Sequence, residues 1–194
     1  MMMKLTHEDL FTLEAYARER DAFRARVLAH KAPRKVHLGA HVTLVFEDRL
    51  TIQYQIQEML RVERIFEPAG IAEELEAYNP LIPDGRNLKA TMLIEYPDPD
   101  ERACKLVELH GIEHRVALRV GDTAIVTAIA DEDLERSTDS KTAAVHFLRF
   151  ELGAEQIAAW RAGTAVALAI DHPAYSARTE LDAAAHDALA RDFD

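Results

Sequence analysis

The sequence predicts an α+β fold: a single domain with a mostly antiparallel sheet of about six strands and helices packed mainly on one face. Three observations carry this reading. Long windows of helical apolar spacing occupy residues 7–30 and 49–66, short alternating runs crowd the second half of the chain, and turn residues separate those runs at close intervals. With 48% hydrophobic content over 194 residues, the chain can bury one core, so residues 1–194 read as one domain. Its core is expected over 1–180, followed by an acidic, Ala-rich tail or terminal helix at 181–194 that frays at its end.

Each element has its own signal. Thr6, three residues before Asp9, is a short capping box for an amphipathic helix over 7–30, with Leu10, Leu13, Ala17, Phe23, Val27 and Leu28 at helical spacing. Val36, Leu38, Val42, Leu44 and Phe46 alternate around Gly39-Ala40, as in a strand interrupted by a turn or bulge. Residues 49–58 fit both a strand and a helix. The longer window, with Ile52, Ile56, Met59, Leu60 and Ile65 on one face, favours a helix capped by Asp48 and stopped at Pro68-Ala69-Gly70. A shorter helix, "GIAEELEAY", leads into "YNPLIPDGRNLKATMLIEY", where Pro80, Pro83 and the Asp84-Gly85 turn connect it to a strand beginning near Leu88.

"DPDERACKLVELHG" reads as a helix entered through Pro99 and closed by Gly111. "RVALRVGDTAIVTAIA" reads as a tight hairpin around a two-residue Gly121-Asp122 loop, with Leu118 opposite Ile125. "AVHFLRFEL" is a strand, "GAEQIAAWRAG" a helix ended by Gly163, and "TAVALAI" the last strand before "DHPAY".

Composition excludes several classes of function. Against 23 basic residues stand 34 acidic ones, and a formal charge of −11 repels both a nucleic-acid backbone and an anionic membrane surface. A lone cysteine, Cys104, rules out an internal disulfide and a cysteine-ligated cluster or zinc site. The start turns charged within ten residues, and no apolar run approaches the roughly eighteen residues that cross a bilayer, so a cytoplasmic, soluble protein is expected. The phosphate-binding patterns G-x-x-x-x-G-K-[ST] and G-x-G-x-x-G, the nucleophile elbow G-x-S-x-G and the di-iron unit Glu-x-x-His are all absent.

What remains is polar residues inside apolar elements. On the 49–66 helix, Gln53, Gln57 and Arg61 lie at one-turn spacings, Glu58 neighbours Arg61 at i,i+3 and Arg64 follows one turn later; they form either a solvated face or an inward network. In "VHFLRFEL", His146 shares a face with Leu148 and Phe150, while Arg149 shares the other with Val145, Phe147 and Glu151. An arginine on so apolar a face needs a carboxylate, a bound anion or a path to water. Asp171 and His172, at a strand end before a proline, suit a capped turn or a general acid/base. Tyr78, Asn79 and Arg86 are more polar than a plain corner requires. His37 and His41 could share a metal only if the Gly39-Ala40 turn folds them together, since a straight strand sets them about 13 Å apart.

The phrases "FEDRLTIQYQIQEMLRVERIF", "AYNPLIPDGRNLKATMLIEYPD", "ADEDLERSTDSKTAAVHFLRFEL" and "DHPAY" resemble those of a bacterial family, domain-of-unknown-function family 3501. The resemblance runs from the first helix through Tyr175 and transfers no catalytic residue. It implies a supporting role in a redox or oxidative-stress pathway, beside rubrerythrin-like proteins and iron–sulfur oxidoreductases, with any redox centre held by the partner.

The expectation is therefore an accessory or binding protein without a cofactor, using Glu58, Arg61, Arg64, Tyr78, Asn79, Arg86 and Arg149, with His146 beside them. A small-molecule enzyme is the alternative, with His146 or His172 (and Asp171) as acid/base and Arg149 or Arg86 as a carboxylate clamp; a metal protein at His37 and His41 is a third. An uncovered sheet edge would favour a homodimer. Arg61 and Arg149 converging on an open pocket would favour a ligand site, whereas capping by Glu58 or Glu151 would mark a closed network.

Overall fold

The helices begin where a side chain can satisfy the first free N–H groups. The computed structural model describes residues 4–193; residues 1–3 and 194, part of the expected domain span, lie outside the described residues. Thr12, not Thr6, caps α1 (Leu13–Lys31) by accepting from the Ala15 N–H. Thr6 and Asp9 do bond to one another, but on a separate 3-10 turn, His7–Asp9. Asp48 caps α2 (Arg49–Glu63), with Thr51 returning the bond, so 49–58 is helical. The helix stops at Arg64, in the left-handed region at φ 56°, rather than at Pro68. Pro68 instead opens α3 (Pro68–Tyr78), where its missing N–H costs nothing.

The remaining elements are β1 (Lys35–Leu38), β2 (Val42–Glu47), β3 (Asn87–Ile94), α4 (Pro99–Glu108), β4 (Val116–Val120), β5 (Val126–Thr127), β6 (Ile129–Ala130), β7 (Val145–Glu151), α5 (Ala154–Arg161), β8 (Val166–His172), β9 (Tyr175–Glu180) and α6 (Ala183–Ala190). The fold is α+β, but the expected sheet of about six strands is two antiparallel sheets among the described residues, ordered β1-β2-β3-β7-β6 and β5-β4-β8-β9. Their inner faces share one core: Leu44, Phe46, Met92 and Phe150 from one sheet meet Leu118, Val120, Leu168 and Ile170 from the other. Two further apolar clusters hold the helical part, one of Ile52, Ile56, Leu60 and Ile71, the other of Tyr16, Phe23 and Val27.

Three expectations are corrected. Leu118 lies opposite Val126, not Ile125, so the loop is wider than Gly121-Asp122. A slip of one residue exchanges faces, and the observed register buries Val126 while leaving Ile125 exposed. The continuation of that strand crosses over, so that β6 joins the other sheet against β7. "DHPAY" is a hairpin turn into a strand that the sequence did not announce, with His172 opposite Tyr175.

The terminal segment is a packed helix rather than a frayed tail: Ala185, Ala188, Leu189 and Phe193 are buried, and Phe193 meets the Trp160 ring edge-on at 5.2 Å. The edges β1 and β9 also close on each other. Thr179 donates to the His37 carbonyl (2.7 Å), and the Tyr175 hydroxyl donates to the Leu38 carbonyl (2.5 Å). At Gly39 (φ +71°) a Cβ would stand 2.5 Å from that hydroxyl, so both the turn and the space exclude a side chain.

The C-terminus is anchored by Arg34, a fully buried cation. Its guanidinium donates to the carbonyls of Phe46 (3.0 Å), Glu47 (3.1 Å) and Ala188 (3.1 Å) and to the Asp192 carboxylate (2.5 Å), with Asp48 at 3.5 Å. His30 bonds Asp48 from the other side. Burial pushes the Asp192 carboxyl up to about 6 although Arg34 pulls it down. A carboxyl raised in the folded state contributes stability that is complete below its unfolded value near 3.8 and is lost as pH rises through about 6. In urea unfolding, the stability of the wild type relative to Asp192→Asn should therefore fall by about 2–3 kcal/mol between about pH 4 and pH 7. A difference that stays level or widens with pH contradicts this assignment.

Candidate functional site

On the outer face of the first sheet, register sets Lys89 of β3 directly across from Arg149 of β7. Two cations side by side repel unless one is neutralised. Arg149 is: Glu132 takes its Nε and Nη2 at 2.7 and 2.8 Å, and Glu151 takes Nη1 at 2.5 Å. These contacts hold the guanidinium firmly charged and the Glu132 carboxyl below the usual range. Lys89 has no such partner. Among the described residues its ammonium makes no hydrogen bond or ion pair; burial first, then the charge of Arg149, lowers its pKa against the opposing pull of Glu132, Asp84 and Glu151.

The two side chains line a groove of about 310 Å³ with Pro80, Leu81, Phe147 and Glu132. Pro80 and Leu81 come from the Tyr78–Arg86 connection, so that loop does reach a cavity. It does so through its apolar residues.

The other residues selected from the sequence lie elsewhere. Glu58 on α2 accepts a bidentate pair from Arg20 (2.8 Å each), the Tyr16 hydroxyl (2.7 Å) and Arg61 (3.2 Å). Arg20 foremost holds its carboxyl down at about 2. Arg61 and Arg149 are therefore capped in two separate networks and do not converge. Arg64 is the exposed C-cap of α2, Tyr78 packs on the Ile52 cluster, and the Asn79 amide clamps the Leu5 backbone at 2.7 and 2.9 Å. Arg86 is exposed, its N–H donating to Asp84. None of these four lines the Lys89 groove.

His37 and His41 turn to different partners, the Thr43 hydroxyl (3.0 Å) and the Glu95 carbonyl (3.1 Å), and His41 stacks on Tyr96. Among the described residues no three His, Cys, Asp or Glu side chains are grouped to hold a metal ion. Asp171 is exposed, and His172 bridges the His110 carbonyl (3.1 Å) and the Ala174 N–H (3.2 Å).

His146 shares the face of Leu148 and Phe150, as its strand alternation predicts, and that face is buried. Its Nδ1 faces Asp131 at 2.6 Å; its Nε2 faces the Thr142 hydroxyl at 2.7 Å and the Ala143 carbonyl at 3.0 Å. Thr142 in turn donates to Glu113 (2.9 Å), as does Ser137 (2.6 Å). Burial alone would raise the Glu113 carboxyl, yet these hydroxyls and His146 keep it below the usual range.

Glu113, Asp131 and Ser137 border a cavity of about 500 Å³ together with Arg136, His110 and His114. Sequence reasoning missed Asp131, Glu113, Thr142 and Lys89. The residues flanking Lys89 alternate legibly on β3, but nothing local shows which residue stands opposite, and Asp131 reaches His146 only from a left-handed backbone at φ 49°.

A family model described as "Protein of unknown function (DUF3501)" matches residues 4–193. A crystal structure of a novel protein of unknown function from Burkholderia pseudomallei K96243 is similar to this chain, with 53% sequence identity, a TM-score of 0.94 and coverage of 99% of this chain and 100% of that one. No curated protein matches. Among the described residues no helix is long and apolar enough to cross a membrane.

The His146 network makes a stability prediction. His146→Leu removes the ring that bonds Asp131 at 2.6 Å and lies 3.8 Å from Glu113, and should cost about 3–5 kcal/mol in urea unfolding. A loss below about 1 kcal/mol would mean that the two carboxylates find other partners.

Proposed function

We propose that this chain, which belongs to the DUF3501 family of proteins of unknown function, is a non-catalytic binding protein that assists a bacterial redox or oxidative-stress system in the cytoplasm and takes its ligand in the Lys89 groove. The observation that carries the reading is the contrast between Lys89 and its neighbours. Arg149, Arg61 and Arg20 each end on a carboxylate, whereas Lys89 stands half-buried and uncommitted beside the apolar walls of Pro80, Leu81 and Phe147. A concave site with apolar walls and a few placed polar groups is the usual form of a small-ligand site. The redox setting rests on the family resemblance, and the redox centre is assigned to an oxidoreductase or rubrerythrin-like partner, with no cofactor on this chain.

The enzyme alternative has less behind it. His146 is fully buried with both ring nitrogens in bonds, and the guanidinium of Arg149 already faces Glu132 and Glu151, leaving a substrate carboxylate poorly placed to bind.

Deletion of the gene in the source bacterium tests the proposal. The deletion strain should lose tolerance to hydrogen peroxide and regain it with the wild-type gene, but not with Lys89→Glu, provided that the variant accumulates as folded protein. Unchanged peroxide tolerance in the deletion strain contradicts the redox role; full rescue by Lys89→Glu contradicts the groove.

A further inference from the structure

We propose that Lys89 captures a small, uncharged carbonyl compound with an apolar tail as a Schiff base. This rests on the reading of the groove as the ligand site and names the class of ligand. The first argument is charge. The charged residues that line the groove are Lys89 and Arg149 against Glu132 and Asp133, so the lining carries no net charge. Arg149 is also spent on Glu132 and Glu151, and Asp133 is spent on Arg136 at 2.7 Å from each oxygen. Binding a phosphate or carboxylate needs a spare positive field, and the groove holds only one uncommitted cation inside a chain of net charge −11. A neutral ligand meets no such demand.

The second argument is the state of the amine. A lysine becomes a nucleophile when its surroundings disfavour the ammonium form, and the two means of doing so are desolvation and a neighbouring cation. Both act on Lys89: it is half-buried, and its cross-strand neighbour is Arg149. The third argument is shape. A volume of about 310 Å³ walled by Pro80, Leu81, Phe147 and Leu148 lies at the small end of the range for ligand pockets and suits a short apolar chain.

The chemistry balances without an oxidant or reductant. The free-base Nζ adds to the carbonyl carbon to give a carbinolamine. Its C–O bond then breaks, the oxygen leaves as water with the two amine protons, and the C=N bond forms.

Reductive trapping tests this on the unmodified protein. The full chain is incubated with propanal and sodium cyanoborohydride at neutral pH, and propylation of each lysine is followed by peptide mass spectrometry. Lys89 should be alkylated faster than the exposed Lys35 and Lys141 despite its burial, since a lowered pKa leaves more free amine. Alkylation at the same rate as Lys35 and Lys141, or more slowly, overturns the proposal.

Lys89→Arg separates this idea from the groove itself, because arginine keeps the charge but forms no imine under these conditions. If Lys89→Arg restores peroxide tolerance to the deletion strain while Lys89→Glu does not, the groove stands and carbonyl capture falls. If both variants fail and wild-type Lys89 is trapped preferentially, both stand.

Discussion

A guanidinium taken out of water has to be saturated with acceptors, and the arrangement of acceptors around Arg34 joins the parts of this protein. They come from distant places in the chain: the Phe46 and Glu47 carbonyls at the end of β2, Asp48 at the cap of α2, and Ala188 and Asp192 at the C-terminus. The exit of α1, the junction of sheet and helices, and the closing helix are therefore fixed at one point. Once Asp192 is held there, Leu189 and Phe193 fall into the core beside Trp160. Removing any one partner would strand the others in a low-dielectric interior, where isolated charges are far more costly than an apolar replacement of the whole set.

The same rule orders the polar residues that looked functional in the sequence. Glu58 gathers Arg20, Arg61 and Tyr16; Glu132 and Glu151 hold Arg149; Asp131 and Glu113 flank His146. Each cation is neutralised by carboxylates of its own surroundings, so these groups bind the fold together and leave little for a substrate. Lys89 departs from the rule because its neighbour in the ladder is a cation already satisfied elsewhere. A protein that otherwise pairs its buried charges has left one amine half-buried and without a direct ion pair in a groove walled by Pro80, Leu81 and Phe147, and that departure is where ligand recognition is best sought.

Elements whose signals are local were legible in the sequence. The Asp48 cap and the Ile52, Ile56, Leu60 stripe define α2, Asp98-Pro99 opens α4, and Gly163 at φ +83° ends the turn after α5. The alternation in β7 grouped His146 with Leu148 and Phe150 and set Arg149 on the other face, and the structure buries the first of these faces. What depends on distant residues was not legible. The register of β4 and β5 is set by which valine the other sheet covers, and β9 hides its strand character behind Ser176, Arg178 and Glu180 on its exposed side. Arg34 and Asp192 are 158 residues apart, and no periodicity brings them together. Lys89 is an ordinary strand lysine until the ladder places Arg149 beside it.

Burial and the neighbouring Arg149 make Lys89 a weaker base than an exposed lysine. Direct titration of the lysine side chains by NMR, with Lys89 assigned by substitution, tests it most directly. Lys89 should deprotonate at a lower pH than the exposed Lys35 and Lys141, because burial and Arg149 both oppose its charge. Titration together with those lysines, or above them, would show that Glu132, Asp84 and Glu151 outweigh both effects and would contradict the account.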